Sequence, residues 1–277
     1  IEFKIILIFL MMAAMTSADK RCHGIDIANR YYNLYIIKDG INNIHDLVLN
    51  RNDNTVYFTF DDVSRIPTRL LAQLNTETGI ATVIGEGVNN GFAQTVDHKN
   101  HEVYIGGSDG IYKYNQKTKS AEFVGEKDAN IWNIFFKDVL YYSIFPSQFL
   151  FTYINGQSVR YRDLEDTKVD QFIIDNEDIM FFTNATGLFS QVKGTKEATL
   201  YQEYPSEGVR GLASDVKGNI FLCLRDGIYK VDKSDVSLRK IVEIDDVFGL
   251  AFDNDNNIVY SDATKLIRLK PNKDKTC

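Results

Sequence analysis

"GGSDGIYKYN", residues 106–115, returns at 223–232 as "CLRDGIYKVD", with looser echoes at 184–192 ("NATGLFSQV") and 262–270 ("DATKLIRLK"). In the two sharp copies an Asp-Gly pair divides one apolar stretch from the next. That is a strong hairpin signal, because Gly takes positive φ without a Cβ clash. Each echo follows a short apolar run that ends on Asp: Asp97 in "AQTVDHKNHEVYIGG", Asp175 in "QFIIDNEDIMFFTN", Asp215 in "GLASDVKGNIFLCL" and Asp253 in "GLAFDNDNNIVYSD". Asp175, Asp215 and Asp253 are spaced by 40 and 38 residues, and Asp97 precedes Asp175 by 78, two such periods. "NIWNIFFKDVLYYSIF" (130–145) fills the gap, with Lys137 in the Asp place. "IHDLVLNRNDNTVYFTF" (44–60) adds an upstream copy, with Asn50 there. The total is six copies.

Every copy reads as a strand ending on Asp or Asn, a turn, a second apolar strand, a tight hairpin, a third strand and a more polar fourth. The Asp residues are expected to be turn formers that accept bonds from nearby backbone. Four strands per unit, a period near 40 and six units describe a six-bladed β-propeller of antiparallel strands. The phrase recurs because each blade must cover both its faces with its neighbours. Copies 1 and 3 depart from the template, with longer Pro-containing loops in "DDVSRIPTRLLAQLN" (61–75) and "FPSQFLFTYING" (145–156). The last copy stops after its third strand, "KLIRLK" (265–270), while "YYNLYIIKDG" (31–40) belongs to no copy. The early strand is therefore expected to pair there and close the ring.

Of the 277 residues, 1–18 read as a secretory signal peptide: Lys4, the apolar run "IILIFLMMAAM" (5–15), then "TSA". Residues 19–277 are expected to form one propeller domain, secreted and monomeric. The net charge of −7 and the lack of a Lys/Arg cluster argue against nucleic acid. No apolar run reaches membrane length. Of three cysteines, Cys22 and Cys277 are expected to bridge in an oxidising compartment, and Cys223, inside "NIFLCLRDG", to be buried and free. "NAT" at Asn184 is a glycosylation signal.

Propeller ligands usually sit at the central channel, near the start of each innermost strand. Counting back five residues from each Asp place gives His45, Phe92, Trp132, Asp170, Arg210 and Phe248. Three aromatics, a His, an acid and a base can stack a flat aromatic molecule and fix its polar ends. Arg210 can fork onto a carboxylate and Asp170 can pair an amine. The same side chains can also pack together and plug the channel. A calcium-dependent lactonase or esterase is the alternative, since hard cations need several oxygen ligands. Asp170, with Asp46, Asn133 and Gln171 one step on, offers a thin set. "DNDNN" (253–257) reads as a solvated turn, and His98 and His101 as exposed turn residues. A scaffold that has lost ligand binding is a third reading.

Six phrases in combination, "GFAQTVD", "VYIGGSDGIYKYN", "NIWNIFFK", "LEDTKV", "DDVFGLAF" and "LIRLKPNKDKTC", resemble the ommochrome-binding proteins of insects across nearly the whole chain after residue 18. The resemblance implies a non-enzymatic protein secreted into haemolymph. Its expected ligand is an ommochrome such as xanthommatin, or a kynurenine-type precursor: flat, tryptophan-derived molecules bearing carboxylates and amines. No further cofactor is expected. The resemblance carries over no binding residues.

Overall fold

The computed structural model describes residues 23–62, 68–203 and 208–273. The leader-like run, Cys22, Cys277 and residues 63–67 of the first Pro-containing loop lie outside the described residues.

The chain forms a ring of six antiparallel sheets, and its only helical piece among the described residues is a 3-10 turn at Arg162–Leu164. The innermost strands are His45–Asn50, Ala93–Asp97, Ile131–Lys137, Phe172–Ile174, Gly211–Ser214 and Gly249–Phe252. They neighbour one another in chain order, and the sixth returns to the first. Five sheets have four strands each, as the repeat requires.

The sixth sheet closes the ring as expected. Arg30–Asp39 pairs antiparallel with Lys265–Pro271, Tyr32 opposite Pro271 and Asp39 opposite Lys265. A short outer strand, Gly24–Ile27, adds a fifth member that the repeat did not foretell. Its Ile27 packs into the seam between blades five and six.

Six apolar clusters lie one at each seam between neighbouring blades. Val56 and Phe58 of blade one meet Ala251 and Val259 of blade six. Tyr57 meets Val103 and Ile105, and Ile111 meets Ile131 and Tyr142. Leu150 meets Phe172 and Phe182, Phe181 meets Leu222, and Cys223 meets Leu250 and Tyr260. The second strand of each blade is thus covered on both faces. Met180, Phe181 and Phe182 are all buried in succession for that reason. Each fully buried large side chain stabilises the ring by about 1.5–3 kcal/mol.

The hairpin phrase is explained by its glycines. Gly110 and Gly227 sit at φ +142° and +149°, and a Cβ at Gly227 would lie 2.3 Å from the Val242 carbonyl oxygen. The Asp places act as turn formers. Asp175 Oδ1 accepts the N–H groups of Glu177 and Ile179 at 2.8 and 2.9 Å. Asp215 does the same for Lys217 and Asn219, and Asp253 for Asp255 and Asn257. Where Lys137 replaces the Asp, its ammonium donates to the Asp175 carbonyl and the Asp178 carboxylate of the next blade. The third blade's loop spans residues 145–148, and residues 161–171 lead through the 3-10 turn to the fourth innermost strand.

Candidate functional site

The innermost strands all start at the same mouth of the ring, so residues counted equally from their turns reach one level. The structure brings the six counted residues to this mouth in two groups. Phe92 and Trp132 meet edge to face, centroids 6.3 Å apart at 69°. Across the ring, His45 meets Phe248 at 5.2 Å and 81°, and the Arg210 guanidinium carbon lies 4.5 Å above the Phe248 ring. Phe92, Trp132 and Arg210 line the channel directly, while His45, Asp170 and Phe248 stand behind them. Burial and the nearby positive charge of Arg69 lower the His45 pKa, so the ring stays neutral at pH 7.

Two of these side chains are engaged by protein partners. The Trp132 indole N–H and the Gln148 amide are both directed at the Asp170 carboxylate. The Asp170 carboxylate thus lies beside the Trp132 indole and already accepts from Gln148. Arg210 donates through Nη1 to Asp246 Oδ1 and the Val247 carbonyl, both at 3.3 Å. Its remaining donors are the ones left for a ligand.

The third blade's loop supplies a residue that the count missed. Phe145 lies 5.3 Å from Trp132 at a tilt of 30°. Trp132 and Phe145 are 40% and 46% exposed, two large apolar rings that the described residues cover only in part. The signal was present in the loop's extra length and its Pro146, since this loop opens at the same mouth as the innermost-strand starts.

Below the mouth, a cavity of about 320 Å³ follows the innermost strands through the ring, a size typical of small-molecule sites. Asp46, Gln94, Asn133 and Gln171 line its upper part. Asp46 is open to the lumen and yet ringed by protein, which leaves its carboxylate poorly solvated. That desolvation outweighs the pull of Arg69 and pushes its pKa up to about 6. At the far end Arg51 reaches to blades five and six, donating to the Ser214 carbonyl at 2.8 Å and the Phe252 carbonyl at 3.4 Å. His98 is exposed, as its turn position suggested, but it lines this lower mouth. The protein walls around this lower mouth, with Arg51 close by, pull its pKa down although the side chain itself is exposed. Among the described residues, no group of three or more His, Cys, Asp or Glu side chains is placed to hold a metal ion.

No family model matches the chain. It is 30% identical over 255 residues to the ommochrome-binding protein of Manduca sexta, covering 90% of this chain and 91% of that protein. Among solved structures it is similar to a gluconolactonase from Xanthomonas campestris, with a TM-score of 0.69 at 12% identity over 87% of this chain and 90% of that one. It is also similar to a streptogramin B lyase, with a TM-score of 0.62 at 10% identity over 87% and 98% of the two chains. At such identities these structures share the fold alone.

Proposed function

The chain belongs to the ommochrome-binding protein family, and from that premise we propose that it is a non-catalytic carrier of a planar, tryptophan-derived pigment held in the central channel. One observation carries this reading: Trp132 and Phe145 lie against each other at the channel mouth, and both rings stay partly exposed among the described residues. A packed plug would cover such rings, whereas a flat ligand can complete the stack. Phe92 supports the Trp132 edge, and Arg210 stands across the mouth with donors for a carboxylate. A secreted setting agrees with the leader-like run at 1–18 and with Asn184. The Asn184 side chain caps a surface hairpin by accepting from Thr186 and Gly187, in reach of a glycan-transferring enzyme.

The lactonase-like hydrolase remains the second reading, because that fold is shared. It would require several anionic oxygens around the channel axis. In the upper channel, Asp46 is the carboxylate open to the lumen, beside the amides of Gln94, Asn133 and Gln171. A titration of the purified protein with xanthommatin separates the two readings. A carrier shifts the pigment's visible band at saturable stoichiometry with no chemical change in the pigment. A hydrolase leaves the band unmoved and cleaves lactones or esters when calcium is added.

A further inference from the structure

Asp46 holds an unusual position for a carboxylate. It opens into the lumen one residue below the mouth, and among the described residues it makes no ion pair. Its sole side-chain partner among the described residues is the Thr59 hydroxyl, which donates to Oδ2 over a long 3.3 Å. Its backbone is left-handed, with φ 54°. The pairing register with the next strand slips between His45 and Val48, so Asp46 lies in a bulge. Bulges re-aim side chains next to functional sites, and here the bulge points a carboxylate at the channel.

Resting on the reading of this channel as the ligand site, we propose that Asp46 receives a primary ammonium group carried by the ligand. A lone carboxylate in a poorly solvated lumen calls for a cation. A single carboxylate among neutral amide oxygens gives a hard metal ion little charge compensation, but it suits an ammonium group, which has three donors and no acceptor. The neighbouring wall is short of donors in the same way. Gln94 commits its amide nitrogen to the Gly91 carbonyl at 2.8 Å, and its Oε1 has no partner. Asn133 Oδ1, on the next blade, has none either. Asp170, the other carboxylate near the mouth, is occupied by Trp132 and Gln148. With Arg210 at the mouth and Asp46 below it, the channel presents a donor and an acceptor at two levels, which matches an amino-acid arm on a planar ring.

The test compares xanthommatin, whose amino-acid arm carries a primary amine, with its N-acetyl derivative, which lacks that charge. Binding to the wild-type protein and to Asp46→Asn is measured by calorimetry. Asn is close in shape to Asp and tolerates left-handed backbone, so the variant should keep the wild-type circular dichroism. Wild type should prefer the free amine by tenfold or more, and Asp46→Asn should lose that preference while still binding both compounds. The groups facing this region are His45 and Arg210 at the mouth and Asp61, Arg69 and Thr59 on blade one. Because ionised Asp46 is the form that attracts the ammonium, the wild-type preference should shrink about tenfold from pH 7 to pH 5. A wild type without preference, or an Asp46→Asn variant that keeps it, overturns the assignment and leaves pigment binding intact. A wild type that binds neither compound overturns the carrier reading, and this assignment with it.

Discussion

The Trp132 indole lies 5.3 Å from the Phe145 ring, tilted by 30°, with the Asp170 carboxylate beside the indole. The pair is oriented before any ligand arrives, so little side-chain freedom is lost on binding. Stacking contributes on the order of 1 kcal/mol and burial of the ring about twice that. Trp132→Ala should therefore weaken xanthommatin binding by roughly 2–3 kcal/mol, a factor of about 30–150. The fold should survive, because the lost contacts lie at the mouth and not in a seam. An unfolded variant, seen by circular dichroism, would mean that Trp132 is part of a packed plug.

Arg210 yields a second outcome. Its Nη1 is held by Asp246 and Val247, which aims the rest of the guanidinium at the channel. Arg210→Ala should cost more for a carboxylated pigment than for its decarboxylated analogue. Arg210→Lys should restore little of the difference, since an ammonium cannot form the planar fork. Equal losses for both pigments would remove Arg210 from carboxylate recognition.

The ring was legible in the sequence because each blade repeats the same turn chemistry. Asp97, Asp175, Asp215 and Asp253 cap their own turns, and Gly110 and Gly227 take a backbone conformation that side chains rarely adopt. Such short-range demands leave a periodic mark. Closure was legible too, since a three-stranded last copy left one edge to be filled. The outer strand Gly24–Ile27 left no such mark, being outside the repeat. Within the site, counting located the mouth but not the roles. Whether Asp170 faces a ligand or holds Trp132 depends on Gln148, which the loop of another blade delivers. Phe145 was hidden because it lies on a loop of irregular length, whereas Asp46 stood next to a counted position, and only the bulge there shows that its carboxylate reaches the lumen.

The raised pKa of Asp46 has a consequence for stability. Its folded value is about 6, above the unfolded value near 4, because burial disfavours the charged form. Ionised Asp46 thus costs the folded state stability, and the cost grows as pH rises through the window from about 4 to 6 and is constant above it. Because the side chain is open to the lumen, solvent screening reduces this cost. Asp46→Asn should raise the thermal midpoint relative to wild type, with a gain that increases from pH 4 to pH 6 and then levels off. A gain that shrinks over this range would reverse the sign.

The cysteines can be sorted chemically. Cys223 is buried and free, and burial pushes its thiol up to about 12. Iodoacetamide should leave it untouched in the native protein and label it in denaturant. Pairing of Arg30–Asp39 with Lys265–Pro271 puts an early and the last described strand in one blade. We accordingly expect a Cys22–Cys277 bridge, which is worth roughly 5 kcal/mol in the chain-entropy picture of so long a loop. Peptide mapping without reduction should yield that linked pair, and a bridge to Cys223 would contradict both expectations.

The chain has one tryptophan, and it stands at the mouth of the channel, so its fluorescence is a direct reporter of ligand binding there. A titration with xanthommatin under non-reducing conditions, read by Trp132 emission alongside the pigment's visible band, tests the central claim. Both signals should change together and saturate at one pigment per chain. A visible-band shift with unquenched Trp132 emission would place the pigment away from the channel, and no change in either signal would contradict the carrier account itself.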